Sequence, residues 1–320
     1  MLIDSLLIIL GLVLLMTGGN WLVDGASSLA RRYKISELAI GLTIVAFGTS
    51  APELVVSFVA SVDAHPEIAF GNVIGSNNFN LLMILGITGL VAPLMVHKNT
   101  IRVEIPVSLF AAVVLLLLAN YGFMPGYGNM LSRIDGLILL VFLALFIYYV
   151  FRSMKTGEVN DEQTAQTLFP LGKSLLFIIL GLACLIAGGK VVVNSAVDLA
   201  RALNISEKVI GLTIVAVGTS LPELVTSIAA IRKNSSDIAI GNVIGSNIFN
   251  IFLILGVSSL WRPLEYSPVF NQDIYLLIFG TLLLLLAMFT GKKRSFDRWE
   301  AAIFVAIYVG YVVYLIMRPE

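Results

Sequence analysis

Two glutamates pose the first chemical question. Glu53 stands in Gly48-Thr49-Ser50-Ala51-Pro52-Glu53 and Glu223 in Gly218-Thr219-Ser220-Leu221-Pro222-Glu223, each inside a long apolar run. A carboxylate at bilayer depth is costly without a partner and by default marks an ion pathway. Thr49, Ser50, Thr219 and Ser220 add hydroxyl oxygens beside the two carboxylates. Proline lacks an amide hydrogen and crowds the carbonyl four residues back, so Pro52 should kink or split its helix at Gly48. Carbonyls around Ala46 to Thr49 should then lose their helical partners, and in a bilayer something inside the protein must satisfy them. A bound cation would do so. A protonated or lysine-paired side chain accounts for one such glutamate less specially, but two in matching Thr-Ser-x-Pro-Glu settings point to ion binding.

A second pair of motifs carries amides. Gly71-Asn72-Val73-Ile74-Gly75-Ser76-Asn77 runs on to Asn80, and Gly241 to Asn250 repeats it. Gly71 and Gly75 are four apart on one helix face, which suits close helix packing. Asn80 follows Ser76 by four residues, so both share a face, and Ser246 and Asn250 do the same. Asn77 and Asn247 should point elsewhere, to cap or to bond backbone. Together these residues make an all-oxygen set, the kind that hard cations such as Na⁺ and Ca²⁺ take, with Ca²⁺ taking about 6–8 oxygens. Mg²⁺ suits it less, because it sheds water reluctantly. Two ionised glutamates balance one Ca²⁺ or two Na⁺, and protons should compete with either for the same carboxylates.

The elements that position these motifs are set by composition. Of 320 residues, 58% are hydrophobic and 12% charged, the latter about half the share of a soluble domain. One soluble core cannot bury so much apolar surface, so the chain reads as a polytopic membrane protein. Twenty Lys plus Arg match twenty Asp plus Glu, which leaves no basic excess for nucleic acid. The lone Cys184 forms no internal disulfide. His65 and His97 lie in polar stretches without an HExxH or Cys/His cluster, so a zinc site is not expected. The N-terminus lacks a basic n-region, and its apolar run outlasts a signal h-region, so it is expected to remain as the first spanning helix.

The chain is two copies of one unit. GLTIVAFGTSAPEL at 41–54 recurs as GLTIVAVGTSLPEL at 211–224, and GNVIGSNNFN at 71–80 as GNVIGSNIFN at 241–250, both offset by 170 residues. From Gly11 to Leu90 about 44 of 80 positions match their partners without a gap, which marks a duplicated structural unit. Apolar segments of spanning length fall at 3–29, 37–61, 68–93, 101–120 and 133–152, then at 174–200, 206–231, 238–262, 272–290 and 297–317. Five is odd, so the second copy must enter from the opposite side. The expected fold is an all-α polytopic membrane protein of ten transmembrane helices in two inverted five-helix repeats. The halves are 1–152 and 173–320, joined by the polar linker 153–172. Substrate in such folds binds where the repeats meet.

Charge gives the sidedness. Odd-numbered loops and adjacent helix ends hold Arg31, Arg32, Lys34, Lys98, Arg102, Arg152, Lys155, Lys173, Arg232, Lys233, Lys292, Lys293, Arg294 and Arg298. The other side holds only Arg133, Arg201, Lys208, Arg262 and Arg318. The richer side should be cytoplasmic, with the linker inside and both termini outside. Trp21, Trp261 and Trp299 fit interfacial anchoring. Lys190, opposite Asn20 in the repeat, should snorkel to the interface, and Asp24 with its partner Asn194 should be interfacial.

The paired motifs GTSAPEL/GTSLPEL and GNVIGSNNFN/GNVIGSNIFN resemble the two alpha-repeats of the cation/calcium antiporter superfamily, most closely its sodium/calcium exchanger branch of prokaryotic type. The resemblance covers essentially the whole chain. It implies ten helices, a site in the second, third, seventh and eighth, and alternating access by sliding of the first and sixth. It makes Glu53 and Glu223 the central cation ligands. Thr49, Ser50, Thr219, Ser220, Ser76, Asn80, Ser246, Asn250 and the carbonyls of Ala46 and Ala216 join them. Many relatives, potassium-dependent ones included, carry Asp where this chain has Asn250, which speaks against K⁺ cotransport. Proton/calcium exchangers carry a Glu in the second motif, and none occurs between Gly71 and Asn80.

The expected function is therefore a Ca²⁺/Na⁺ antiporter of the cell membrane, with those ions as cargo and no cofactor. Its surroundings are the lipid bilayer, with no nucleic acid and no obligate protein partner in view. Proton-coupled or other cation exchange through the same site is the alternative. A passive channel suits broken helices in inverted repeats less well. No nucleophile–base pair accompanies the glutamates, so an enzyme is not expected.

Overall fold

The computed structural model describes residues 2–121, 129–153, 169–202, 216–290 and 294–317. It is almost wholly helical. In chain order, α1 is Leu2–Tyr33, α2 Glu37–Thr49, α3 Ala51–Val62, α4 Pro66–Val91, α5 Thr100–Tyr121 and α6 Arg133–Ser153. The second half holds α7 Leu171–Ala202, the short α8 Ala216–Thr219, α9 Leu221–Arg232, α10 Ser236–Trp261, α11 Pro268–Ala287 and α12 Arg298–Met317. Among the described residues, eight helices are long and apolar enough to cross a membrane, and the bent pair α2–α3 makes up to nine. The segment expected at 206–231 lies partly outside the described residues, which hold its later part as α8 and α9.

Local sequence sets several helix starts. Ser36 caps α2, its hydroxyl accepting from the Ala39 amide at 3.2 Å, and so satisfies one of the orphan donors of the first turn. Pro66 opens α4, where its missing amide hydrogen costs nothing. Ser132 and Asp135 exchange reciprocal bonds at the start of α6, a capping box with Asp in the acidic place.

The long helices α1 and α7, 32 residues each, rise about 48 Å. That exceeds a hydrocarbon core of about 30 Å, so both must tilt or project. They pack antiparallel along a seam of small residues. A Cβ on Gly11 would lie 2.9 Å from the Gly188 carbonyl, on Gly18 2.8 Å from that of Gly181, and on Gly25 2.7 Å from that of Ser174. Each step of seven along α1 meets a step of seven back along α7. Between apolar helices in lipid no hydrophobic force remains, so this backbone approach supplies the attraction.

The centre of the molecule is α4 and α10, of whose spans 78% and 94% are buried. The flanks of α1, α6, α7, α11 and α12 expose large apolar side chains such as Leu6, Val141, Ile179, Phe279 and Val309, the surface that a lipid solvent requires. Two short antiparallel ladders tie loops of one half to the other. Leu94–Met95 pairs with Ser295–Phe296, and Met130–Leu131 with Leu264–Glu265.

The seam makes a direct prediction. Gly18→Val or Gly181→Val should cost about 1–3 kcal/mol by overpacking and lower the thermal unfolding midpoint in detergent. Gly310→Ala, at a position with nothing within 4 Å among the described residues, should leave it nearly unchanged.

Candidate functional site

The site begins at the two helix breaks. Ser50 leaves the helical region at φ −80°, ψ 8°, and the helix bends by 48° there. Ser220 does the same at φ −91°, ψ 9°. Each proline, Pro52 and Pro222, then sits in the first turn of the following helix. This brings Glu53 and Glu223 into the first turns of α3 and α9, where the positive end of the helix dipole favours negative charge. One expectation needs correction. The Ala46 carbonyl is not freed by the break, because it accepts the Ser50 amide at 3.0 Å: proline four residues after Gly48 removes the donor for Gly48, not for Ala46. In the second half the Ser220 amide goes to Val217 instead, at 3.2 Å.

Both carboxylates are fully buried, and neither forms an ion pair with Lys or Arg among the described residues. They are instead held crosswise. Ser220 Oγ donates to Glu53 Oε1 at 2.9 Å, and Ser50 Oγ donates to Glu223 Oε1 at 3.0 Å. Each carboxylate thus takes its proton donor from the opposite half. The other oxygen of each, Glu53 Oε2 and Glu223 Oε2, has no hydrogen-bond partner among the described residues.

The amide motifs close the site from α4 and α10. Ser76 Oγ, both polar atoms of Asn80, Asn250 Oδ1 and Asn247 Oδ1 are buried and likewise unpaired. Buried polar atoms are nearly always satisfied, so these oxygens, on the same two motifs as the carboxylates, are the candidates for binding a hard cation. Ser246 Oγ reaches Glu223 Oε1 only at 3.5 Å, which leaves it weakly engaged. The helices turn to wider π geometry at Phe79–Ile84 and Asn250–Leu255, a distortion that often accompanies functional sites. Nothing in the residue pattern announced it.

The two asparagines at the ends of the motifs are not equivalent. Asn250 Nδ2 donates across the helix pair to Asn77 Oδ1 at 3.0 Å while its own Oδ1 stays unpaired. Asn80 has no partner at either atom among the described residues. Asn77 and Asn247 bond each other's backbone, Nδ2 to carbonyl oxygen at 3.2 and 3.3 Å, as expected of them.

Two residues were missed. Asn72 Nδ2 donates to the Glu53 carbonyl and to Ser57 Oγ, while its Oδ1 meets Thr219 Oγ1 at 3.3 Å. Asn242 does the same for Glu223, Ser227 and Thr49. The signal was available: Asn72, Ser76 and Asn80 are spaced by four and share one helix face. Outside the site, Asp24 is ion-paired with Lys233 at 2.8 Å, and Lys190 is exposed.

The sequence profile of the family described as sodium/calcium exchanger protein matches residues 4–152 and 173–317. The chain belongs to the sodium/calcium exchanger family. Among its relatives, the sodium/calcium exchanger MaX1 of Methanosarcina acetivorans is 33% identical over 348 residues, 98% of each chain. The inner membrane protein YrbG of Escherichia coli K12 is 36% identical over 326 residues, 99% of this chain and 97% of that one. A solved structure of the sodium-calcium exchanger NCX_Mj soaked with Na⁺ and Sr²⁺ superposes with a TM-score of 0.83 at 34% identity, over 97% of both chains. The exchanger-family chain is accordingly a multi-pass helical membrane protein.

The donor set predicts which ions the purified protein should answer to. Ca²⁺ should stabilise the folded state, by about 2.7 kcal/mol when the ion is a hundredfold above its Kd, and so raise the thermal midpoint, and Mg²⁺ should do much less. Glu53→Gln and Glu223→Gln should each remove the Ca²⁺ response in a thermal-shift titration while folding normally, because a neutral isostere keeps the packing and removes one of two charges.

Proposed function

We propose that this chain is a secondary active antiporter of the cell membrane that exchanges Ca²⁺ for Na⁺ by alternating access, without K⁺. The observation that carries the reading is the crossed pair of Ser–Glu bonds at two helix breaks, each glutamate keeping one unpaired oxygen. Glu53 and Glu223 are the charged ligands in this reading. Thr49, Ser50, Thr219, Ser220, Ser76, Asn80, Ser246, Asn250 and the carbonyls of Ala46 and Ala216 supply neutral oxygens. The carbonyl of Ala46 serves through its second lone pair, since its first accepts the Ser50 amide.

The architecture proposed with it is ten spans in two inverted halves, 1–152 and 173–320, with the 153–172 linker cytoplasmic and both termini outside. The antiparallel seam of α1 and α7, the first helices of the two halves, supports the inversion. The loop ladders support the span count, since each joins two loops that this count puts on the same side. The names of the related exchangers and of the inner membrane relative agree with the cargo and the membrane.

Charge supports independence from K⁺. Two carboxylates offset one Ca²⁺. A further monovalent ion beside it would be uncompensated, since positions 80 and 250 are both neutral Asn. One unbalanced unit charge at about 4 Å and an effective dielectric near 20 is worth roughly 4 kcal/mol, or about three orders of magnitude in affinity.

The test is ⁴⁵Ca uptake into proteoliposomes, driven by an outward Na⁺ gradient, with and without K⁺ and with and without a pH gradient. Uptake should require Na⁺ and ignore K⁺, and acidification should weaken the apparent Ca²⁺ affinity as protons occupy the carboxylates. Asn250→Asp should alter Na⁺ competition or K⁺ sensitivity. Uptake driven by the pH gradient alone would move the chain to proton-coupled exchange, and a K⁺ requirement in the wild type would overturn the charge argument.

A further inference from the structure

We propose that Asn72 and Asn242 are positioning residues. Each commits the hydroxyl proton of the threonine in the opposite half, so that Thr219 and Thr49 turn lone pairs, not protons, toward a cation. The proposal rests on the reading of those threonines as ligands. Its warrant is a chain of donor and acceptor assignments in which every member is nine-tenths or more buried.

Asn242 has one nitrogen and one oxygen to place. Its amide lies 3.2 Å from the Glu223 backbone carbonyl and 3.0 Å from Ser227 Oγ on one side. A carbonyl only accepts, so the nitrogen must face it. The amide oxygen then faces Thr49 Oγ1 at 3.0 Å. That oxygen also only accepts, so Thr49 must donate. Asn72 repeats the assignment, with the Glu53 carbonyl at 3.2 Å, Ser57 Oγ at 2.9 Å and Thr219 Oγ1 at 3.3 Å. A hydroxyl has one proton and two lone pairs. Once its proton is held by asparagine, both lone pairs are available to a cation. Without Asn242 the Thr49 hydroxyl has other acceptors, the Val45 and Ala46 carbonyls of its own helix at 3.1 and 3.3 Å. The proton would turn to these and the oxygen would lose its fixed direction.

A double-mutant cycle on purified protein tests this, read as equilibrium ⁴⁵Ca binding with monodisperse elution as the check of folding. Thr49→Val and Asn242→Ala should each weaken Ca²⁺ binding about fivefold, the worth of one net hydrogen bond. The double variant should bind no worse than Thr49→Val alone. Thr49→Val combined with Asn72→Ala, which joins no donor to its acceptor, should instead multiply to about 25-fold. Should Asn242→Ala misfold, Asn242→Ser, which keeps a donor for the Glu223 carbonyl, enters the same cycle. Multiplication in the Thr49/Asn242 pair, or unchanged affinity in Asn242→Ala, overturns the positioning role. Unchanged affinity in Thr49→Val removes threonine from the site itself and so fails the underlying reading instead.

A different observation carries a second inference. At one end of the molecule α1 is clasped to α9. Lys233 Nζ lies 2.8 Å from Asp24 Oδ1 and 2.7 Å from the Asn20 carbonyl, and a Cβ on Gly19 would sit 3.0 Å from Val225 Cγ1. The partners of these residues 170 positions away are Asp63, Asn194, Lys190, Gly189 and Val55. Their contacts are not made. Val55 is 62% exposed, and a Cβ on Gly189 would meet Pro222 at 3.8 Å rather than Val55. Asp63 and Lys190 are exposed and have no ion pair among the described residues. The charges are exchanged between the ends: Asp on α1 meets Lys after α9, whereas Lys on α7 awaits Asp after α3.

We infer that Asp24–Lys233 and Lys190–Asp63 are reciprocal latches, one closed in each state of the transporter. In inverted repeats, each half takes up the other's conformation when access switches, so the contacts now made by Lys233 pass to Asp63. This inference rests on the alternating-access reading. In a Cys184→Ser background, Asp24→Cys/Lys233→Cys and Asp63→Cys/Lys190→Cys are treated with a short cleavable bifunctional thiol reagent in proteoliposomes. Both pairs should cross-link during exchange. Either cross-link should stop exchange until it is cleaved, and closing one should protect the other. Lys233→Met, combined with the Asp63→Cys/Lys190→Cys pair, should raise that cross-link up to about fivefold, the most a half-exposed ion pair contributes. Exchange that proceeds while the 63/190 pair never cross-links, or both links forming in one molecule, overturns the latch. Loss of exchange in the uncross-linked variants and wild type alike would instead count against antiport.

Discussion

A carboxylate removed from water must find donors or cations nearby, and the two at the centre of this protein find each other's serines. Ser220 serves Glu53 and Ser50 serves Glu223. Because the bonds cross, neither half of the chain can assemble the site alone. This one constraint explains the helix breaks, since an unbroken α2–α3 could not aim Ser50 away from its own helix and set Glu53 in the first turn of the next. It also explains why α4 and α10 lie at the centre: their amides and hydroxyls are the remaining polar groups that a buried, charged seam can use.

Around that seam the packing divides into two kinds. α10 locks against α2, where a Cβ on Gly241 or Gly245 would lie 2.8 Å from the Leu38 carbonyl or Ala46 Cβ. α1 and α7 are joined chiefly to each other, backbone to backbone through glycine, and present apolar flanks outward. The proposed alternating access would move such a pair as a unit, since the contacts it makes with itself would not be disturbed. Among the described residues α1 is clasped to α9, and α7 has no counterpart clasp on α3.

The duplication is not perfect, and the departures have physical consequences. Asn78 stands where the copy has Ile248, and its amide donates to the Asp273 carbonyl at 2.9 Å, which ties α4 to α11. Asp273 itself accepts from Tyr311 at 3.0 Å. In the first half a tyrosine–carboxylate bond at other positions, Tyr149 to Glu104 at 2.6 Å, joins α6 to α5. Asn80 and Asn250, identical in sequence, also differ in engagement, so the two sides of the site are not chemically equal.

The residue types alone determined a good deal here. Apolar runs and their length gave a membrane protein, an offset of 170 gave the duplication, and a proline next to paired hydroxyls gave the break at Ser50. These are local or periodic properties, fixed by covalent geometry and by the cost of polar groups in lipid. Tertiary structure decided which atoms meet. It decided that each serine serves the opposite glutamate, that Asn72 and Asn242 bridge the halves, and that Asp24 is ion-paired with Lys233. The reason is that hydrogen bonds between residues some 150 to 200 positions apart depend on helix register and tilt, and these are set by the sum of all packing contacts. No spacing within either motif encodes them.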